Sequence, residues 1–302
     1  MINDSEIDAL YIPLPTGVRK DFAIAAAKAG KHVLCEKPCG PNAAAVKEII
    51  DACAEAGVQF MDGVMFMHSD RLTALRKVLD DGESVGQIHR IATQFSFRAP
   101  DDFLHENIRM HSELEPLGSL GDLGWYNLRI ALWVMNYQMP EKVTGRLITQ
   151  SGRPDSPDSV PIRFSGELLF TNDVTANFFC SFETEHQQWV NISGSKGHVH
   201  IDDFVLGYYG AETGFDVVNP IYDVDGCMMH MGKHTQRIAI PEYSDSHHSA
   251  QEAKLFRNFS ELVISGKTDN HWPEIALKTQ ALMDACLYSA RNGSSEIAIE
   301  NL

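Results

Sequence analysis

The first sixty-five positions alternate between short apolar runs and alanine-rich stretches with helical spacing, a pattern that predicts parallel strands joined by crossover helices. Ile7 to Ile12 reads as the first strand. After Pro13-Leu14-Pro15, Thr16 is placed to cap a helix through Phe22, Ile24, Ala25, Ala26 and Ala29, with Gly30 as its stop. Val33 to Cys35 is a second strand. Gly40-Pro41 opens a second helix through Val46, Ile49, Ile50 and Cys53 to Gly57, and Val58 to Met65 closes the pattern as a third strand. Residues 1–65 are therefore expected to form a β-α-β-α-β unit, half of a doubly wound nucleotide-binding sheet.

The texture then changes. A helix is expected at about Asp70 to Asp80, followed by extended segments at Ile88 to Phe97, Lys142 to Thr149, Arg163 to Phe170, Ala176 to Phe182 and Trp189 to Ile192. Gln251 to Ser265 and Pro273 to Asn292 have helical spacing, and Ser151 to Pro161 is a loop. The fold class that follows is α/β plus α+β: an incomplete Rossmann-like parallel sheet, then a domain spanning 66–302 with a large open mixed or antiparallel sheet. An uncovered apolar sheet face predicts self-association as a dimer or higher homo-oligomer.

Composition narrows the chemistry. Acidic residues outnumber basic ones, 41 to 25, for a net charge of -16, which disfavours nucleic acid and anionic membranes and favours a small-molecule substrate. No apolar run is long enough for a membrane span, the N-terminus lacks a leader pattern, and six dispersed cysteines read as reduced thiols, so a cytoplasmic location is expected. His230 and His234, and the adjacent His247 and His248, have no third ligand at a recognisable spacing, so no metal is expected.

Ligands of an open parallel sheet lie beyond the carboxyl ends of its strands, which directs attention to Pro13-Leu14-Pro15-Thr16, Glu36-Lys37-Pro38 and Gly63 to His68. Glu36-Lys37 is either a reactive pair or an ordinary solvated edge. In Gly118-Ser119-Leu120-Gly121-Asp122-Leu123-Gly124-Trp125-Tyr126, three glycines share one helical face, each costing about 1 kcal/mol in a helix interior, so close approach to a ligand or another backbone is expected. Asp122 and Tyr126 point the same way, with Arg129 a turn further, unless the helix is merely tightly packed.

The wording Ile7-Asp8-Ala9-Leu10-Tyr11-Ile12-Pro13-Leu14-Pro15, Ala29-Gly30-Lys31-His32-Val33-Leu34-Cys35-Glu36-Lys37-Pro38 and Gly121-Asp122-Leu123-Gly124-Trp125-Tyr126 resembles the glucose-fructose oxidoreductase, inositol dehydrogenase and MocA family, in order and spacing. Gly194-Ser195-Lys196-Gly197 and the closing helices extend the likeness to nearly the whole chain. The resemblance implies an NAD(P)-dependent dehydrogenase whose open sheet makes a dimer interface. It implies Lys37 near nicotinamide and substrate, with Pro13, Leu14, Pro15, Thr16 and Glu36 on the cofactor side. Tyr126 stands where much of the family has His, as in the branch resembling glucose-fructose oxidoreductase and dihydrodiol dehydrogenase, and Arg129 replaces the motif's final Asp, which favours an aldose, a diol or a related carbonyl compound over inositols.

Tyr126 is thus the expected acid/base and Lys37 its tuner, the ammonium drawing the phenol toward working pH. His105, Arg109, Asp122 and Trp125 are expected substrate contacts, His105 and Arg109 being equally readable as surface residues. The family's Gly-x-Gly-x-x-Gly turn is absent, and the chain begins where the fourth strand would be, so the first strand is expected to leave an exposed edge and binding of NAD or NADP to be weak. Either the biological protein has an upstream segment, or the short form is a non-catalytic binding or assembly module.

Overall fold

The computed structural model describes residues 1–208, 210–244 and 247–299. Its first part is a three-stranded parallel sheet in the order β1 (Ala9–Ile12), β2 (His32–Cys35), β3 (Phe60–Asp62), with α1 (Thr16–Lys28) and α2 (Ala43–Glu55) as crossovers. Gly30 and Gly57 both adopt positive φ where these helices stop. Two starts differ from expectation. Pro15 occupies the N-cap position of α1 with no side-chain cap bond, while the Thr16 hydroxyl donates to Glu115. Gly40-Pro41 is a turn, and Asn42 caps α2 by accepting from the Ala45 amide, 2.9 Å away.

After α3 (Asp70–Asp80) come β4 (Ile88–Arg98), a short α4 (Asp101–Glu106), α5 (Trp125–Val134), β5 (Lys142–Ser151), β6 (Val160–Leu169), β7 (Thr175–Ser181), β8 (Glu183–Gly194) and β9 (His198–Ile201). A long hairpin of β10 (Glu212–Asp225) and β11 (Met228–Pro241), then α6 (Gln251–Ser265), α7 (His271–Arg291) and β12 (Ile297–Ala298), complete the chain. The nine strands pair in the order β11-β10-β9-β8-β4-β7-β6-β5-β12, parallel only between β4 and β7. α5 and α7 lie over one face, against β4, β5 and β7, and Ile91, Val143, Leu168, Ala176 and Ile192 on that face are buried. The other face carries Gln94, Arg146, Glu167, Asn177, Phe179 and Trp189 around a shallow hollow of about 380 Å³, with no helix over it among the described residues.

The two sheets are not packed in simple chain order. Leu34 and Met61 of the small sheet form a buried cluster with Leu255 and Phe259 of α6, and α7 also lies against β3 and α2. One face of the N-terminal unit is thus closed by the last fifty residues. Among the described residues no helix is long and apolar enough to cross a membrane.

Candidate active site

Beyond the carboxyl ends of β1 and β2 lies a polar cleft of about 340 Å³, lined by Tyr11, Pro13, Leu14, Pro15, Glu36, Lys37, Arg109, Glu115 and Asp122 among others. Its architecture starts with Arg19, nearly fully buried in the first turns of α1. The guanidinium donates to the carbonyls of Leu14, Glu36 and Pro38, stitching the loop after β1 to the loop after β2. That fixes the Glu36-Lys37-Pro38 loop, whose Lys37-Pro38 peptide is cis.

Lys37 Nζ donates to Asp122 Oδ1 at 2.8 Å and to the Asp122 carbonyl at 2.7 Å. Arg109 Nε meets the other oxygen of the same carboxylate, also at 2.8 Å. Burial alone would raise the Asp122 carboxyl and lower the Lys37 ammonium; the ion pair outweighs burial for both, holding Asp122 below its ordinary value and Lys37 above it. Both stay charged. Lys37 Nζ also lies 4.8 Å from the centroid of the Tyr126 ring, so the cation rests over the phenol it was expected to meet. Tyr126 is almost fully buried beneath it, its hydroxyl 3.6 Å from Met65 Sδ. Burial pushes the Tyr126 phenol up to about 12, and the Lys37 charge only partly opposes this. The expected lowering toward working pH is therefore corrected: desolvation of the phenolate costs more than one ammonium returns.

The three glycines do not share a helical face. Gly118 opens the helix at φ +47, where a Cβ would strike the Pro161 carbonyl. Gly121 and Gly124 fall in a π-helical turn, Leu120–Gly124, that leads into α5. Gly121 lets Pro38 approach, a Cβ there lying 3.0 Å from Pro38 Cγ, and Gly124 faces Leu120 and Cys180. Only Gly121 serves the cleft, by bringing the Lys37 loop against the turn that bears Asp122.

Several expected contacts are placed elsewhere. Trp125 is fully buried beside Arg129, 5.7 Å from ring centroid to guanidinium, and does not line the cleft. His105 is exposed on α4 outside the lining. Arg129 points away from Asp122 and Tyr126 into the core, where it pairs with Asp62 at 2.5 Å, both side chains fully buried. Thr16 is buried under the cleft, its amide and hydroxyl both donating to Glu115. His230 and His234 lie exposed on β11, and among the described residues no group of three or more metal-binding side chains converges.

The cleft also contains residues that sequence reasoning missed. Tyr11 donates to Glu36 Oε1 at 2.6 Å, and burial with that bond holds its hydroxyl above the ordinary phenol range. Glu115 comes from a loop without periodicity. Arg19 could have been found: Thr16, Arg19, Ala23, Ala26 and Ala27 form the buried stripe of α1, and an arginine on such a stripe needs internal acceptors.

The arrangement suits the nicotinamide end of a dinucleotide, with polar groups converging on a small hollow at strand ends. A pyrophosphate normally takes a free helix N-terminus. Here both are taken from within: Glu115 receives the Thr16 amide, and Asp284 of α7 receives the Ala43 amide at 2.6 Å. A Cβ at Gly17 would lie 1.7 Å from the Glu113 carbonyl, so the first turn of α1 is also pressed shut. A larger hollow of about 590 Å³ beside the start of α2 borders that same Asp284.

A model of an oxidoreductase family with an NAD-binding Rossmann fold matches residues 1–64, and a model of the GFO/IDH/MocA C-terminal domain matches residues 72–200. Among curated proteins, D-xylose 1-dehydrogenase (NADP(+)) 2 of Haloferax volcanii is 27% identical over 98% of this chain and 82% of its own length. Trans-1,2-dihydrobenzene-1,2-diol dehydrogenase of Mus musculus is 30% identical over 67% of this chain and 57% of its own. Among solved structures, aldose-aldose oxidoreductase from Caulobacter crescentus, complexed with glycerol, superposes with a TM-score of 0.80 at 25% identity, covering 98% of this chain and 81% of that one.

Proposed function

This chain belongs to the GFO/IDH/MocA family of oxidoreductases, and from that footing we propose that it interconverts a carbonyl and a carbinol on a sugar, diol or related substrate. The single observation that carries this reading is the Lys37 ammonium, fixed by Asp122 and resting over the Tyr126 phenol at the strand ends. Its relatives are named for D-xylose and for a dihydrodiol, which supports polyhydroxy or vicinal-diol substrates. NADP is the cofactor in the xylose enzyme's name and NAD in the family description; either is proposed here.

When bound, the nicotinamide supplies or accepts the hydride. On reduction, Tyr126 donates its proton to the substrate oxygen, and Lys37 stabilises the phenolate left behind by charge. Asp122, itself braced by Arg109, holds the ammonium in place, and Arg109, whose side chain is 39% exposed, is free to donate a further hydrogen bond to a substrate hydroxyl. Glu36, braced by Tyr11, orients the loop that carries Lys37.

The proposed division is a cofactor-side unit, 1–65, and a substrate and oligomerisation unit, 66–302, whose open sheet face meets a second copy. The closed N-termini of α1 and α2 favour weak dinucleotide binding, and they favour as a second reading a module that binds sugar without turnover. Assay of reduced-nicotinamide formation from aldoses and trans-diols, at millimolar NAD or NADP, decides between them. Turnover lost in Tyr126→Phe supports the enzyme; a sugar that binds calorimetrically but never reacts supports the module.

A further inference from the structure

Spacing along α7 sets one of its flanks apart. Ala281, Asp284, Ala285, Tyr288, Arg291 and the C-cap Asn292 recur three and four apart and so share a face. Ala276, Leu282, Met283 and Cys286 of the same helix are fully buried, whereas Tyr288 is 52% exposed. The flank looks onto Pro41-Asn42-Ala43 at the start of α2, and the hollow of about 590 Å³ lies between these two walls. Alanines at 43, 281 and 285 keep the walls short. The hollow and the cleft at the strand ends share no lining residue.

Its polar groups are of both kinds. Asp284 accepts from the Gln280 side chain at one oxygen, 2.9 Å away, and from the Ala43 amide at the other, 2.6 Å away. A carboxylate oxygen has two acceptor directions, so each keeps one to spare. Asn292 donates its side-chain amide to the Tyr288 carbonyl at 2.8 Å, which leaves the side-chain oxygen as an acceptor. Asn42 is the reverse case: its oxygen caps Ala45, which leaves its NH₂ group to donate. Arg291 adds donors at the exposed rim, and Tyr288 an aromatic wall with a polar tip. One carboxylate and one guanidinium balance, so the lining selects no net charge.

We propose that this hollow is a second binding site, apart from the cleft, for a neutral polyhydroxy molecule of monosaccharide size. Hydroxyls both donate and accept, which matches acceptors on Asp284 and Asn292 set with donors on Asn42 and Arg291. The C–H face of a sugar ring is apolar and packs on an exposed aromatic ring such as Tyr288. The volume falls within the roughly 300–1,000 Å³ of small-molecule sites. Other occupants fit less well. An anion meets the Asp284 carboxylate, and an apolar molecule would cover its spare acceptors without pairing them. A metal ion finds one carboxylate, and among the described residues no group of three or more metal-binding side chains converges.

Alanine-methyl NMR of the whole chain reads the hollow directly, because Ala43, Ala281 and Ala285 line it and no alanine lines the cleft. On titration with D-glucose or D-xylose these methyls are expected to shift and saturate, with the dissociation constant raised about tenfold in Tyr288→Ala, as for loss of one stacking contact. Ala281→Leu, which fills the hollow, is expected to abolish the shifts at Ala43 and Ala285, circular dichroism confirming that both variants are folded. Arg109→Ala, in the cleft, is expected to leave the alanine titration unchanged, so the hollow and the reading of the cleft stand or fall separately. Methyls that neither sugar moves, or an affinity indifferent to both Tyr288→Ala and Ala281→Leu, overturn the site. Shifts produced by inorganic phosphate and not by the sugars place an anion in the hollow and overturn the neutral class.

Discussion

At neutral pH the Tyr126 hydroxyl, pushed up to about 12 by burial, is protonated, and the Lys37 ammonium above it is charged. The resting site is therefore set as a proton donor, the form that reduction uses. Reduction is expected to be flat between pH 6 and 9, because the acid form is saturated throughout that range. Oxidation needs the phenolate and is expected to gain about tenfold per pH unit over the same range. Parallel rate profiles for the two directions would refute this assignment. Tyr126→Phe is expected to lower kcat by about 10²–10⁴-fold without unfolding the chain, since the hydroxyl's contact with Met65 Sδ, at 3.6 Å, is a weak one to lose. Arg109 is a milder case: with its charge partly in solvent, Arg109→Ala is expected to raise KM for polyhydroxy substrates more than it lowers kcat.

Among the elements, the junction of β3 with α5 is held by Asp62 and Arg129, both fully buried. Arg129→Met strands a buried carboxylate and is expected to cost about 3–5 kcal/mol, read from the denaturant midpoint. Gly121→Ala tests a different joint. Its Cβ would sit 2.7 Å from Leu117 Cβ and 3.0 Å from Pro38 Cγ, so the π-helical turn and the Lys37 loop must part. A displacement of about 1 Å there is expected to cost on the order of 10²-fold in kcat, with a smaller effect on the melting temperature. These elements differ in how far the sequence announced them. The helix Asp70–Asp80 and α6 carry regular apolar spacing and match expectation residue for residue. β10 and β11 went unread because Asp, His and Met interrupt the alternation on strands whose outer halves bury nothing in their own chain. Lys37, Tyr126 and Asp122 were recoverable from motif and spacing, whereas Arg129, and Trp125 beside it, were misplaced because the Arg129 partner Asp62 sits on β3 in the core, a tertiary contact that spacing along α5 does not record. Tyr11 and Glu115 depend on tertiary placement that no local pattern records.

For the whole molecule, the carboxylates that close α1 and α2 predict weak affinity for the dinucleotide. Titration calorimetry of this chain with NAD and NADP is expected to give dissociation constants above the micromolar range; a micromolar or tighter value would mean that some other surface receives the pyrophosphate. The cluster that joins Leu34 and Met61 to Leu255 and Phe259 has a consequence for the protein's birth on the ribosome. At translation rates of about 5–20 residues per second, the first sheet waits on the order of 10–40 s with one apolar face bare before α6 is synthesised. The nascent chain thus carries that face uncovered through most of its synthesis, and pausing translation just upstream of Gln251 should yield ribosome-bound chains whose first sixty-five residues are still cut readily by protease.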